Sequence, residues 1–187
     1  DDPRCEAILK AGLKSSDENV ARTSANLLAG RDDHQDSEDL NLALINGAAD
    51  YNARLQAIKR FQQAPSPEAI GPLRIIMAGE DNQLKLEAIG AIGKIPGPES
   101  TAMLITAMSD PQKHLVHHAA RHLFSRADAP SLNCALATIN SGAEIHIRHL
   151  AADRIERSPS ADAVDVLTKT LLDPDHRLRH QALRALA

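Results

Sequence analysis

Apolar and small residues recur along this chain in one figure. An apolar position is followed four residues on by Ala or Ser, five on by an apolar residue or Ala, and eight on by another apolar residue. The figure appears as Val20-Ser24-Ala25-Leu28, Ala53-Ala57-Ile58-Phe61 and Leu84-Ala88-Ile89-Ile92, then as Leu115-Ala119-Ala120-Leu123, Ile147-Ala151-Ala152-Ile155 and Leu178-Ala182-Leu183-Leu186. Its starts at 20, 53, 84, 115, 147 and 178 are separated by 33, 31, 31, 32 and 31 residues. At about 100° per residue these offsets share one arc of an α-helix, so each start predicts an amphipathic helix. Small side chains at the middle offsets let a neighbouring helix approach closely. A leucine stands eleven residues before every start (Leu9, Leu42, Leu73, Leu104, Leu136 and Leu167), which predicts an earlier helix in each repeat.

Proline and glycine fix the same register independently. Pro3, Pro67, Pro98 and Pro130 all lie seventeen residues before a start, where the first turn of the earlier helix needs no amide donor. Asp2 and Ser66 precede two of them as predicted N-caps, and Ser160 holds the corresponding place in the sixth repeat. Pro65, Pro96 and Pro159 share a second offset, and Pro111 and Pro174 a third. Gly47, Gly79 and Gly142 fall near the predicted ends of first helices, where glycine terminates them. The chain therefore divides into six helical hairpins, at 1–31, 32–64, 65–95, 96–127, 128–158 and 159–187, with about twelve helices in all. One such pair cannot bury its apolar stripe, whereas pairs stacked in a line can. The predicted fold is all-α, a single α-solenoid over 1–187.

The second-helix motif resembles that of HEAT repeats, in particular the short bacterial repeats found also in phycobilin lyase subunits. The resemblance rests on Asp110-Pro111 with Val116, Ala119 and Ala120, on Ile147-Arg148 with Ala151 and Ala152, and on Asp173-Pro174 with Leu178-Arg179 and Ala182. Arg54 and Lys85 hold the same basic position in earlier repeats, while Ala21 replaces it in the first. Pro72, inside the first helix of the third repeat, matches a kinking proline of that family. The resemblance spans the whole chain. It implies a right-handed superhelix with the second helices on the concave side, used mostly as a binding scaffold. Metal hydroxylases of HEAT type use His-Glu pairs, and no His-Glu dipeptide occurs here. HEAT-like DNA glycosylases cradle a lesion with aromatic residues, and this chain contains no Trp.

Composition sharpens this picture. Hydrophobic residues make up 43% of the 187 positions and aromatic ones only 2%. Strands of sandwiches and barrels draw on aromatic and β-branched residues, so the balance favours helices. Three rings, Tyr51, Phe61 and Phe124, cannot supply a stacking platform for bases. The net charge of −4 is too mild to point to nucleic acid. It is unevenly spread: residues 1–110 carry 11 basic and 17 acidic side chains, and residues 111–187 carry 10 and 8 together with eight of the nine histidines. No apolar run approaches the ~18 residues of a membrane span. The expected location is cytoplasmic, although a chain opening at Asp1 rather than Met leaves room for an upstream or cleaved segment.

The histidines carry the candidate chemistry. His117, His149 and His180 share the position two residues into the second helices of repeats 4 to 6, with His118, Arg121, His122, Arg154 and Arg184 on neighbouring offsets. His114, His146, His176 and Arg177 precede or open the same helices. Under the HEAT resemblance these residues line the concave side. Three readings compete: a solvated or half-packed face, since Leu55 and Leu86 occupy the shared position in repeats 2 and 3; a surface for phosphate or carboxylate groups; and a metal site. For the last, His114–His118, His118–His122 and His176–His180 have i,i+4 spacing, but no Cys or carboxylate stands at a matching position on those helices. No metal or other cofactor is therefore expected.

Other signals are weaker. Five acids in the turn 31–39 (Asp32, Asp33, Asp36, Glu38 and Asp39) account for the longer first step and form a candidate site for a cation or basic peptide, with a solvated loop as the alternative. Cys5 and Cys134 fit no metal or redox spacing, are too many repeats apart to pair, and are expected to be buried thiols. No phosphate loop, nucleophile elbow or triad is present. Uncapped terminal repeats predict either a longer parent chain or end-to-end self-association. The function these observations favour is a non-enzymatic protein-interaction scaffold, whose concave patch of His117, His118, Arg121, His122, His149, Arg154, His180 and Arg184 takes an acidic partner segment. The alternative is a phycobilin-lyase-like enzyme subunit that holds an anionic ligand there.

Overall fold

A computed structural model describes residues 3–13, 15–29, 51–158 and 160–187, and every regular element among them is helical. In chain order the α-helices are α1 (Pro3–Gly12), α2 (Glu18–Ala29), α3 (Tyr51–Gln63), α4 (Ile70–Ala78), α5 (Asn82–Lys94), α6 (Pro98–Ala107), α7 (Lys113–Ser125), α8 (Ala129–Ile139), α9 (Ile145–Arg157), α10 (Ala163–Thr170) and α11 (His176–Leu186). The first helix of the second repeat, with Leu42, Gly47 and the acidic turn 31–39, lies outside the described residues. No described helix is long and apolar enough to cross a membrane.

Local chemistry explains where the helices open. Pro3 and Pro98 are the first residues of α1 and α6, and Pro130 lies in the first turn of α8. In the third repeat Ser66 caps a 3-10 turn, Pro67–Ala69, which leads into α4. Pro72 has no amide to offer the carbonyl of Glu68, so regular α-helix starts only at Ile70 and the proline sits in its first turn. Carboxylates open several second helices: Asp81 Oδ1 accepts from the Leu84 amide and Asp175 Oδ1 from the Leu178 amide, both at 2.9 Å. Gly97 caps α6 at φ +126°, a conformation only glycine adopts without strain. Gly12 lies close to α2, so a Cβ there would meet the Ser24 side chain, which would have to turn aside.

Three local expectations are corrected. Ser160 does not cap its helix: α10 starts at Ala163 behind Asp162. Its hydroxyl is instead buried without a hydrogen bond among the described residues. Gly142 lies beyond the end of α8, which closes at Asn140. Cys5 is exposed, and Cys134 is half-buried, with its thiol pushed up by burial.

The helices gather into two compact units, residues 1–95 and 96–187. The division coincides with the sequence boundary between the third and fourth repeats. In the first unit α1 packs on α2, and α5 packs on both α3 and α4. In the second unit α6–α7, α8–α9 and α10–α11 each form a hairpin. There α7, α9 and α11 pack in one row, and α6, α8 and α10 in another.

The recurring offsets supply the core. Ala57, Ala88, Ala119, Ala151 and Ala182 are fully buried, as are Leu84, Leu115 and Leu178 at the starts and Leu123 and Ile155 eight residues on. Each large side chain so buried contributes roughly 1.5–3 kcal/mol. Phe61 and Phe124 are both buried, so the two phenylalanines serve packing.

Candidate functional site

The candidate residues all lie in the second unit, on α7, α9 and α11, but the structure distributes them over different environments. Arg121 from α7 and Arg184 from α11 line a groove of about 650 Å³ along the second-helix row, with Phe124, Ser125, Leu150, Asp153, Glu156 and Arg157. Arg184 Nη2 lies 3.0 Å from Glu156 Oε2. Arg157 donates to the carbonyls of Phe124 and Asp153, and Gln181 donates to the Asp153 carboxylate. Carbonyl acceptors hold a guanidinium in place without neutralising it. Arg121 is exposed and has no hydrogen-bond or ion-pair partner among the described residues. The groove thus contains three arginines against two carboxylates, one of which is already paired.

Arg154 is a different case. It is only 2% exposed, and its Nη2 donates to the carbonyl of Asp128 at 3.1 Å. Burial, with the nearby Arg157 charge, lowers its pKa. Its place among accessible partner-binding residues is therefore withdrawn. Seven residues after the start of the figure in α9, its side chain is enclosed against the N-terminal end of α8.

The shared histidines meet carboxylates from the next hairpin. His117 Nε2 stands 2.6 Å from Glu144 Oε2, and Lys113 Nζ stands 2.7 Å from Glu144 Oε1. Hydrogen bonds from Lys113 and His117 hold the Glu144 carboxyl down at about 2 and raise the Lys113 pKa. His149 Nε2 stands 3.0 Å from Asp175 Oδ1, whose carboxyl is likewise held at about 2, first by the Leu178 amide and then by His149. His117 and Glu144 border a second hollow of about 310 Å³ with Met108, Val116, Ser141 and Ile147. His118 and His122 meet each other edge to face, with centroids 4.8 Å apart. His180 is exposed, with no hydrogen-bond partner among the described residues. Among the described residues no three metal-ligating side chains converge.

The sequence reading missed Arg157, Glu144 and Asp175. For the two acids a signal was present. The residue three before each start reads Asp17, Asp50, Asp81, Gln112, Glu144 and Asp175. A search for carboxylates on the histidines' own helices could not reveal a pairing that crosses from one hairpin to the next.

No protein-family model matches the chain, and no curated protein is significantly similar to it. Among solved structures it is similar to an engineered protein solved by crystallography at the Northeast Structural Genomics Consortium. The two share 19% sequence identity at a TM-score of 0.47, over 95% of this chain and 93% of that one. At that level the likeness bears on no function.

Proposed function

We propose that the chain is a HEAT-like α-solenoid of six hairpins, without catalytic activity, that binds an acidic segment of a protein partner in the groove along α7, α9 and α11. The observation that carries this reading is the arginine excess in the groove. Arg121 has no partner among the described residues, Arg157 is satisfied by carbonyls only, and half-buried Leu150 supplies an apolar patch of the lining. Guanidinium groups of this kind favour carboxylates over neutral acceptors. An extended segment that alternates acidic and apolar side chains fits both parts of the lining. The protein-binding reading therefore rests on Arg121, Arg157 and Arg184, rather than on the whole histidine patch.

The test is a fluorescence-anisotropy titration with a labelled Glu/Leu peptide of about ten residues, using its Lys/Leu counterpart as control. The acidic peptide should bind, weaken with added salt, and lose at least tenfold in affinity for the double variant R121E/R184E, with far-UV circular dichroism unchanged. Equal binding of the two peptides, or undiminished binding to the variant, would contradict the proposal. Saturable binding of a linear tetrapyrrole at the same arginines, with no peptide binding, would support the lyase-like alternative instead.

A further inference from the structure

Histidine rings approach one another at three places in the second unit, and the three differ in what they could hold. His118 and His122 on α7 have ring centroids 4.8 Å apart and planes 75° apart. His117 and His146 are 6.1 Å apart, and His146 and His149 6.4 Å. An imidazole bound to a first-row divalent ion has its nitrogen about 2.1 Å from the metal, and hence its ring centroid about 3.2 Å away. Two centroids 4.8 Å apart then subtend about 100° at a shared ion, between the octahedral and tetrahedral angles. The same construction gives about 145° for His117 with His146 and about 180° for His146 with His149. Those angles suit no chelate formed by neighbouring ligands. His117 and His149 are moreover engaged by Glu144 and Asp175.

The helix holds the first pair at this distance. His118 and His122 stand one turn apart within Lys113–Ser125, and both are half-buried, which restricts their rotamers. Turning an imidazole about its Cβ–Cγ bond leaves the centroid nearly in place, and that torsion is soft. The separation therefore persists whatever turn aims the two nitrogens at a common point. His114–His118 and His176–His180 share the spacing, but His114, His176 and His180 are exposed and lack such a ring contact among the described residues. Ordering the rings beforehand lowers the entropic cost of binding.

We propose that His118 and His122 form a bidentate site for a divalent transition-metal ion of the Cu2+, Ni2+ or Zn2+ class. The absence of a Cys or carboxylate on α7 limits the site to two protein ligands, in keeping with the lack of any three converging ligands among the described residues. The ion's remaining positions are then left to water or to a donor from another molecule. Two imidazole nitrogens, with the Arg121 cation on the same helix, select ions that prefer nitrogen and disfavour Mg2+ and Ca2+, which take oxygen ligands. The site rests on one helix and is independent of the arginine groove.

Isothermal titration of the full chain with Ni2+ tests it. One saturable equivalent should bind the wild type, and Mg2+ should give no binding heat. H118A and H122A should each lose at least tenfold in affinity, with far-UV circular dichroism unchanged. H118Q and H122Q, which keep most of the side-chain volume, should lose as much, so that a packing defect is not the cause. H146A and H180A should bind like the wild type. Saturating Ni2+ should also raise the melting temperature of the wild type and leave that of H122A where it was. No saturable Ni2+ binding, undiminished binding by the His118 and His122 variants, or an equal loss in H146A or H180A would overturn the proposal. None of these substitutions touches Arg121, Arg157 or Arg184, so acidic-peptide binding remains a separate readout.

Discussion

Arg154 and Arg184 stand at neighbouring offsets of equivalent helices, and they differ in nearly everything that matters chemically. Arg184 lines the groove beside Glu156, while Arg154 is enclosed and bound to the Asp128 carbonyl. Its replacement by Ala should cost roughly 2–4 kcal/mol, combining lost packing of the stem with an orphaned carbonyl. A urea titration checks this; a change under about 0.5 kcal/mol would mean the site is solvated. Glu144 and Asp175 make a second residue-scale prediction. Their carboxyls titrate at about 2 in the folded chain against ordinary values of 4.5 and 3.8. A depressed folded value means stability that is present above the ordinary value and lost as pH falls toward the folded one. Thermal melts should therefore place the wild type above E144Q and D175N at pH 6. The gap should close between about pH 4.5 and pH 2, and curves that run parallel throughout would contradict the assignment.

At the scale of the element, alanine at the fourth offset sets how closely second helices pack. Ala119, Ala151 and Ala182 carry no exposed surface where α7, α9 and α11 meet. Leucine at the same spot would have to displace backbone or force neighbouring rotamers. A151L should accordingly destabilise by about 1–3 kcal/mol despite the higher hydrophobicity of leucine. An increase in melting temperature on this substitution would show that a cavity was available. The elements themselves were legible in the sequence because their signals are local. Proline at the first position, an acid before the first turn and a 3.6-residue period all act within one helix. The failures were local too. Ser160 has the right identity for a cap, but the chain around it is packed so that its hydroxyl is buried and α10 begins three residues later.

At the scale of the molecule, the described helices gather into two compact units, and the candidate chemistry is confined to the second. The charge and histidine asymmetry of the sequence marks the half that carries it. It did not indicate that the patch would separate into an arginine groove, two histidine–carboxylate pairs and a buried arginine. Those assignments depend on which residues of successive hairpins come to face one another. A shared offset shows that side chains point in equivalent directions, and it does not show what they meet.

The sequence by itself determined the helical class, where most described helices open and most of the buried positions, because apolar burial follows periodicity and capping follows residue type. Only the tertiary structure decided which basic groups remain available. His117 and Glu144 are 27 residues apart in sequence and 2.6 Å apart in space, and Arg157 on α9 reaches the Phe124 carbonyl on α7. Charge becomes accessible, paired or enclosed through contacts between hairpins, and the repeat pattern of a single hairpin does not contain that information.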